Sequence, residues 1–199
     1  MVTHSPYEPL SQALVSPAGC HLLGAFNPPA VTADSPALHA MTDLSRVPAA
    51  TITADATLEE ANRSMIARGV RLLLVVADGS RIIGLVTSND ILGEKPVQVA
   101  QKRRSRRTEL RVADVMVPVE KMESLAIEDV RKARIGDIVA TLRADGRAHA
   151  IVLGRQDDGK QYLLGIFSAS QIARQLGVQI HTYEVARTFA EIEAVIAEV

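Results

Sequence analysis

Apolar residues along this chain alternate between two periods. Leu58, Ala61 and Met65 recur at steps of three and four, the spacing of one helix face, and the pattern stops at Gly69, a residue suited to a helix C-cap. Leu72 to Val76 is an unbroken apolar run. A turn at Asp78-Gly79 follows, then a second apolar stretch, Ile82 to Val86. These segments predict helix, strand, turn and strand, with helix resuming at Ile91-Leu92. The order then returns. Ile135, Ile138 and Leu142 match Leu58, Ala61 and Met65, and this pattern stops at Gly146. Ala148 to Leu153 predicts a strand. Leu163-Leu164-Gly165-Ile166-Phe167-Ser168 matches Ile82-Ile83-Gly84-Leu85-Val86-Thr87, with four extra residues in the intervening 154–162 hairpin. The unit is strand, helix, strand, strand, helix. Two copies predict two paired modules, because a solenoid needs at least three repeats.

The stretch from Gly84 to Asp90 places a strand end near Thr87 and a helix start near Asp90. A hydroxyl, a carboxylate and free backbone N–H groups converge there. Such a corner receives phosphate on its N–H groups and helix dipole. A carboxylate three residues after the threonine can accept both hydroxyls of a ribose, as the acidic residue of a dinucleotide fold does. The same carboxylate can instead serve only the helix start.

These residues resemble a pair of cystathionine β-synthase (CBS) domains, the tandem called a Bateman module. The first copy runs through Met41-Thr42-Asp43, the 51–61 segment and Gly69 to Val76, and closes with Gly84 to Asp90. The second opens at Val112-Ala113-Asp114-Val115-Met116-Val117-Pro118 and closes with Gly165 to Ile172. The resemblance implies an α/β fold: two CBS domains, each β-α-β-β-α, in a pseudo-twofold module with two clefts. An irregular N-terminal arm and a C-terminal helix flank it, and a single core is expected. The expected boundaries are 1–35 for the arm, 36–98 for the first domain, 99–111 for a basic linker, 112–176 for the second domain and 177–199 for the helix.

The resemblance also assigns a ligand site. Gly84, Thr87 and Asp90 stand in the family's G-h-x-T-x-x-D motif. Arg71 stands where nucleotide-sensing repeats carry a phosphate-contacting arginine, and Ala49 and Ala50 match the segment at the adenine edge. In the second copy Gly165 and Ser168 match, but Gln171 replaces the aspartate. Its amide offers one acceptor oxygen, so that cleft is degenerate for a ribose diol. The expectation is one adenosine nucleotide per chain, as a regulatory ligand rather than a required cofactor, held in the Asp90 cleft.

Composition fits a regulator. Of 199 residues 47% are apolar and 23% charged, an ordinary globular balance. No apolar run approaches the roughly 20 residues that span a bilayer, and no secretory signal is visible, so a cytoplasmic location is expected. Cys20 is the lone cysteine, which excludes an intrachain disulfide. The five histidines, His4, His21, His39, His149 and His181, show no metal spacing; His149 falls within an apolar strand as a core histidine. No nucleophile–base arrangement is visible, so no enzyme is expected.

The flanks and the link have their own patterns. Residues 1–35 contain five prolines and no period, and read as an extended or disordered arm. At the other end, Thr182 suits an N-cap with Glu184 in the first turn. Val185, Phe189, Ile192, Ile196 and Val199 form an apolar stripe, to pack on the chain itself or on a second copy. Residues 102–111 carry six basic groups against one acidic, and the rest of the chain has net charge −6. That run reads as a solvated linker, or as a reach toward a nucleotide's outer phosphates or an acidic partner. With no tryptophan and six Tyr plus Phe, nucleic acid is not expected as a partner. The chain therefore reads as an adenosine-nucleotide sensor that homodimerises and controls a separate protein. The alternative is a ligand-free structural adaptor on the same fold.

Overall fold

The computed structural model describes residues 10–20, 31–178 and 185–197. By its contacts the chain separates into residues 1–30 and 31–199. In the first unit the described residues include a turn closed by Gly19 N–H donating to the Ser16 carbonyl at 2.8 Å, and Cys20 is exposed. Leu22, Leu23 and Phe26 of the expected arm lie outside the described residues.

The second unit opens with a 3-10 turn, Ala37–Ala40, and then runs through β1 (Thr42–Asp43), β2 (Thr51–Thr53), α1 (Leu58–Arg68), β3 (Leu72–Ala77), β4 (Arg81–Thr87), α2 (Ser88–Leu92) and α3 (Lys95–Arg103). It continues with α4 (Val112–Val115), β5 (Val117–Pro118), β6 (Ser124–Ala126), α5 (Ile127–Val130), α6 (Ile135–Ala144), β7 (His149–Arg155), β8 (Gln161–Ser168), α7 (Ala169–Gln175) and α8 (Val185–Ala197). Local chemistry sets several of these ends. Thr57 and Glu60 form a reciprocal capping box at α1, with Glu60 N–H donating to Thr57 Oγ1 at 3.1 Å and Thr57 N–H to Glu60 Oε2 at 2.7 Å. Gly69 ends that helix at φ 64°, the left-handed cap that glycine adopts without a Cβ penalty.

Two four-stranded sheets result, in the orders β2-β3-β4-β5 and β1-β8-β7-β6. The repeat is preserved in detail: β2 and β6 pair in parallel with β3 and β7, and both hairpins carry a register shift at equivalent places, Val75/Val76 and Val152/Leu153. Each copy's lead-in is exchanged. β1, from the first copy, pairs with β8 of the second sheet, and β5, from the second copy, pairs with β4 of the first. Gly84 and Gly165 sit under these exchanged strands. A Cβ at Gly84 would stand 2.6 Å from the Val117 carbonyl oxygen, and one at Gly165 would fall inside the Met41 side chain. At both positions the missing Cβ lets the exchanged strand approach closely.

Two buried clusters replace the single expected core. The first joins Leu58, Ala61, Met65, Leu73, Val75, Val86 and Ile91 to Leu110, Val112 and Val115. The second joins Ile135, Ile138, Leu142, Val152, Phe167 and Ile172 to Ala37 and Ala40 from the other copy's lead-in. Each half is thus completed by residues that lead into the other copy. The second unit also begins earlier than expected. Ser35 and Ala33 carbonyls accept from Ile135 and Gly136 N–H at 2.9 Å each, and Arg134 pairs with Asp34 at 2.6 Å.

The basic stretch is structured rather than an open link. It supplies the end of α3, a 3-10 turn over Arg107–Glu109, and buried Leu110. Arg103 pairs with Asp114, and Arg107 Nη2 donates to the Ile91 carbonyl at 3.0 Å. α8 packs on α6 and α7 of its own chain through Phe189 and Ile192, with Arg143 paired to Glu193. Thr182, Glu184 and Val199, from the expected cap and stripe, lie outside the described residues.

Candidate functional site

Two cavities lie between the halves. The larger, of about 1240 Å³, is bounded by Thr42, Leu44, Val47, Pro48 and Ala50 of the lead-in, by Met65 and Ile66 of α1, by Leu92 of α2, and by Ser168, Ser170, Gln171 and Arg174 at the second corner. The smaller, of about 280 Å³, is bounded by Leu85, Thr87, Asn89 and Asp90 at the first corner, by Val117, and by Lys121, Glu123, Arg147, Ala148 and Ile151. Arg71, Leu72, Ser88 and His149 line both.

The structure therefore divides the residues expected to share one site. Thr87 and Asp90 border the smaller cavity. Ala50 borders the larger, together with Ser168 and Gln171 of the corner expected to be degenerate. Arg71 reaches both. Ala49, Gly84 and Gly165 are absent from the residues lining either cavity. The division follows from the exchanged strands: the segment carrying β1 lies along β8, so the lead-in of the first copy faces the closing corner of the second.

At the first corner the carboxylate serves the backbone. Asp90 Oδ2 accepts from Thr87 N–H at 3.0 Å and Thr87 Oγ1 at 2.7 Å, while Asp90 N–H donates to Thr87 Oγ1 at 3.3 Å. This is the reciprocal box that a Thr-x-x-Asp spacing builds at a helix start. The other oxygen, Oδ1, accepts from Lys95 Nζ at 2.8 Å. Both oxygens are engaged, and the Asp90 side chain is only 15% exposed. Sequence reading missed Lys95; five positions beyond Asp90, on the following helix, it carried no periodic signal.

At the second corner Gln171 Oε1 accepts from Thr42 Oγ1 at 3.0 Å, and Ser168 and Ser170 hydroxyls lie 3.0 Å apart. Arg174 lies one helical turn past Gln171 and was also missed, although its spacing of three marked the same face. Among the described residues the larger cavity has two guanidinium groups, several hydroxyls and amides, and no carboxylate in its lining. The smaller mixes Arg71, Lys121 and Arg147 with Asp90 and Glu123. Arg147 pairs with Glu123 at 2.7 Å. Among the described residues the larger cleft thus carries cationic groups alone, while the smaller carries both signs, three cations against two carboxylates.

His149 is not a plain core histidine, because it faces both cavities. Burial pushes its imidazole down to about 4, and the charge of Arg71 acts in the same direction. Arg103, Arg104, Arg106 and Arg107 border neither cavity, so the basic stretch does not reach them. Among the described residues no cluster of metal-binding side chains occurs, and no helix is long and apolar enough to cross a membrane.

A CBS domain family model matches residues 40–96. An uncharacterized protein of Methanopyrus kandleri is 38% identical over 58 residues, which are 29% of this chain and 30% of that protein. The match thus spans under a third of the relative's length. Among solved structures, an uncharacterized conserved protein from Pyrococcus horikoshii superposes with a TM-score of 0.53 and 17% identity, covering 77% of this chain and all of the other. CBSX2 in complex with AMP, a CBS-pair protein known from Arabidopsis thaliana, superposes with a TM-score of 0.50 and 20% identity, over 70% of this chain and 94% of the other. The shared architecture is that of a tandem CBS pair.

Proposed function

We propose that this chain, a tandem CBS-domain protein, is a regulatory module that binds an adenosine nucleotide in its larger cleft and acts on a separate partner. The observation that carries the reading is that cleft's lining. Its apolar side, from Leu44, Val47, Pro48, Met65 and Leu92, offers a surface for a purine ring. Its second-half wall carries Ser168, Ser170, Gln171 and Arg174, with Arg71 between the halves, and offers hydroxyl, amide and guanidinium groups to ribose and phosphate. Small-molecule sites combine an apolar lining with a few convergent polar groups in this way, at volumes of about 300–1000 Å³. The larger cleft exceeds that range and the smaller falls just below it. CBSX2 in complex with AMP supplies the ligand class among proteins of similar fold.

Regulation then requires unequal affinity of the nucleotide for two arrangements of the halves, since a ligand that binds both equally shifts nothing. The cleft is built for this, because its walls come from different halves. A homodimer is proposed with it. α3, whose Val97 is 51% exposed and borders neither cavity, offers helical surface for a second copy.

The adaptor reading is favoured by a different observation: Asp90 and Gln171 are each satisfied within the chain, by Lys95 and the capping box and by Thr42. Calorimetry with AMP, ADP, ATP and adenosine separates the two. Saturable binding of a nucleotide, weakened in Arg174→Gln, supports the sensor. No heat with any of the four supports the adaptor.

A further inference from the structure

The basic stretch after α3 lies outside both cavities and is held in a fixed shape. The last turn of α3 closes on Arg104, whose N–H donates to the Gln101 carbonyl at 3.2 Å. Ser105 N–H reaches back to the Ala100 carbonyl at 3.0 Å. The 3-10 turn over Arg107–Glu109 follows, and Leu110, 2% exposed, anchors its far end in the first core. A solvated linker would leave these side chains without fixed positions; here a folded surface displays them.

Four of the charges on that surface are unbalanced. Arg103 pairs with Asp114, and Arg111 lies near Asp55 and Glu60. Among the described residues Lys102, Arg104, Arg106 and Arg107 pair with no carboxylate, and all four are exposed. Arg107 donates to the neutral Ile91 carbonyl at 3.0 Å. Glu109, the one carboxylate within 102–111, accepts from the Arg106 N–H at 3.0 Å. Arg104 also sits against its own backbone preference. Its φ is 52° and its ψ 38°, a left-handed conformation that glycine adopts freely and other residues rarely. α1 ends in the same region on Gly69, at φ 64°. Helix ending alone would favour glycine at 104; the arginine adds a charge there instead.

We propose that Lys102, Arg104, Arg106 and Arg107 form a docking surface for an acidic segment, rich in Asp and Glu, of the separate protein on which this module acts. This rests on the regulatory reading above but not on where a nucleotide lies, since the four residues border neither cavity. A short acidic segment fits better than a nucleic acid. The four cations occupy only six consecutive positions. The rest of the chain outside 102–111, at net charge −6, repels a polyanion that runs past them. No aromatic residue occurs between Phe26 and Tyr162, so the segments that build this surface offer no ring for base stacking.

The test measures fluorescence anisotropy of an oligo-glutamate peptide, and separately of a short DNA duplex, titrated with the full chain. The peptide should bind saturably and weaken as salt is added. Arg104→Gly should weaken it about two- to fivefold, and replacing all four residues with Gln by at least about tenfold. Arg104→Gly keeps the left-handed turn, so its thermal midpoint should hold or rise while peptide affinity falls; a merely structural arginine would not give that split. AMP calorimetry on the same variants should be unchanged. No peptide binding, or equal binding by the four-residue variant, overturns the proposal. Tighter binding of the duplex than of the peptide assigns the surface to nucleic acid and overturns it as well. If the peptide binds and AMP does not, the docking surface stands and the nucleotide reading falls. If AMP binds and the peptide does not, the nucleotide reading stands and the docking surface falls.

Discussion

The hydroxyl of Thr42 donates to Oε1 of Gln171 at 3.0 Å, across 129 positions of sequence. The bond ties the exchanged strand β1 to the helix that closes the second copy, and both residues border the larger cleft. Gln171, which stands where the first copy has Asp90, thus acts as a latch between the repeats. Thr42→Val removes the donor and leaves the amide oxygen unpaired. A loss of about 0.5–1.5 kcal/mol in urea unfolding is expected, the ordinary net value of one hydrogen bond. An unchanged midpoint would show that water replaces Thr42 at no cost.

Gly84 and Gly165 respond differently to a methyl group. At Gly84 the obstacle is the Val117 carbonyl in the backbone of β5, and at Gly165 it is the flexible Met41 side chain. Gly84→Ala should destabilise by about 1–3 kcal/mol, as overpacking does, and Gly165→Ala by less. Equal losses in thermal unfolding would contradict the assignment.

Asp90 and Arg174 separate fold from ligand. Asp90→Ala removes the capping box and the Lys95 pair, and should lower stability by about 0.5–2 kcal/mol with little change in nucleotide affinity. Arg174→Gln should leave stability nearly intact and weaken AMP by about ten- to a hundredfold, the range of a charge-assisted hydrogen bond. Calorimetry and denaturation on both variants check the pair. The reverse pattern would move the nucleotide to the smaller cavity.

The terminal helix should be part of the second half's stability. Ile192 is fully buried against that core and Phe189 nearly so. Ile192→Ala should cost about 2–5 kcal/mol if α8 unfolds together with the half it covers. Hydrogen exchange that shows α8 opening alone, with α6 and α7 still protected, would limit the loss to a local event.

Acid should destabilise the ligand-free protein through His149. Its folded value of about 4 lies below the ordinary 6.5, so the unfolded chain binds the extra proton between those values. The contribution is fully present above pH 6.5 and is lost as pH falls toward about 4. It amounts at most to roughly 3–4 kcal/mol at the unit conversion of 1.36 kcal/mol. His149→Gln should flatten the stability profile in that window, measured by denaturant midpoints at several pH values.

The repeat, the helices at Leu58 and Ile135, both hairpins and the Thr-x-x-Asp corner all follow from residues within a few positions of one another, and so were readable along the chain. Apolar period sets helix or strand, and a threonine three places before a carboxylate builds the cap of both α1 and α2. The α/β class and the paired-module organisation follow from the same local patterns repeated twice. What the tertiary structure decided is which copy completes which half. β1 and β5 are two residues each, too short to carry a period, and their partners are chosen by open sheet edges far away in sequence. That exchange puts Ala50 with Gln171 and separates both from Asp90. It also joins Arg71 to His149 in one wall, and it buries Ala37 and Leu110 in opposite cores. Lys95 on Asp90, Arg107 on the Ile91 carbonyl and α8 on its own chain were settled the same way. A local pattern specifies how a segment bends and which face is apolar; the partner of a charge or of a strand edge is fixed only when distant segments close on each other.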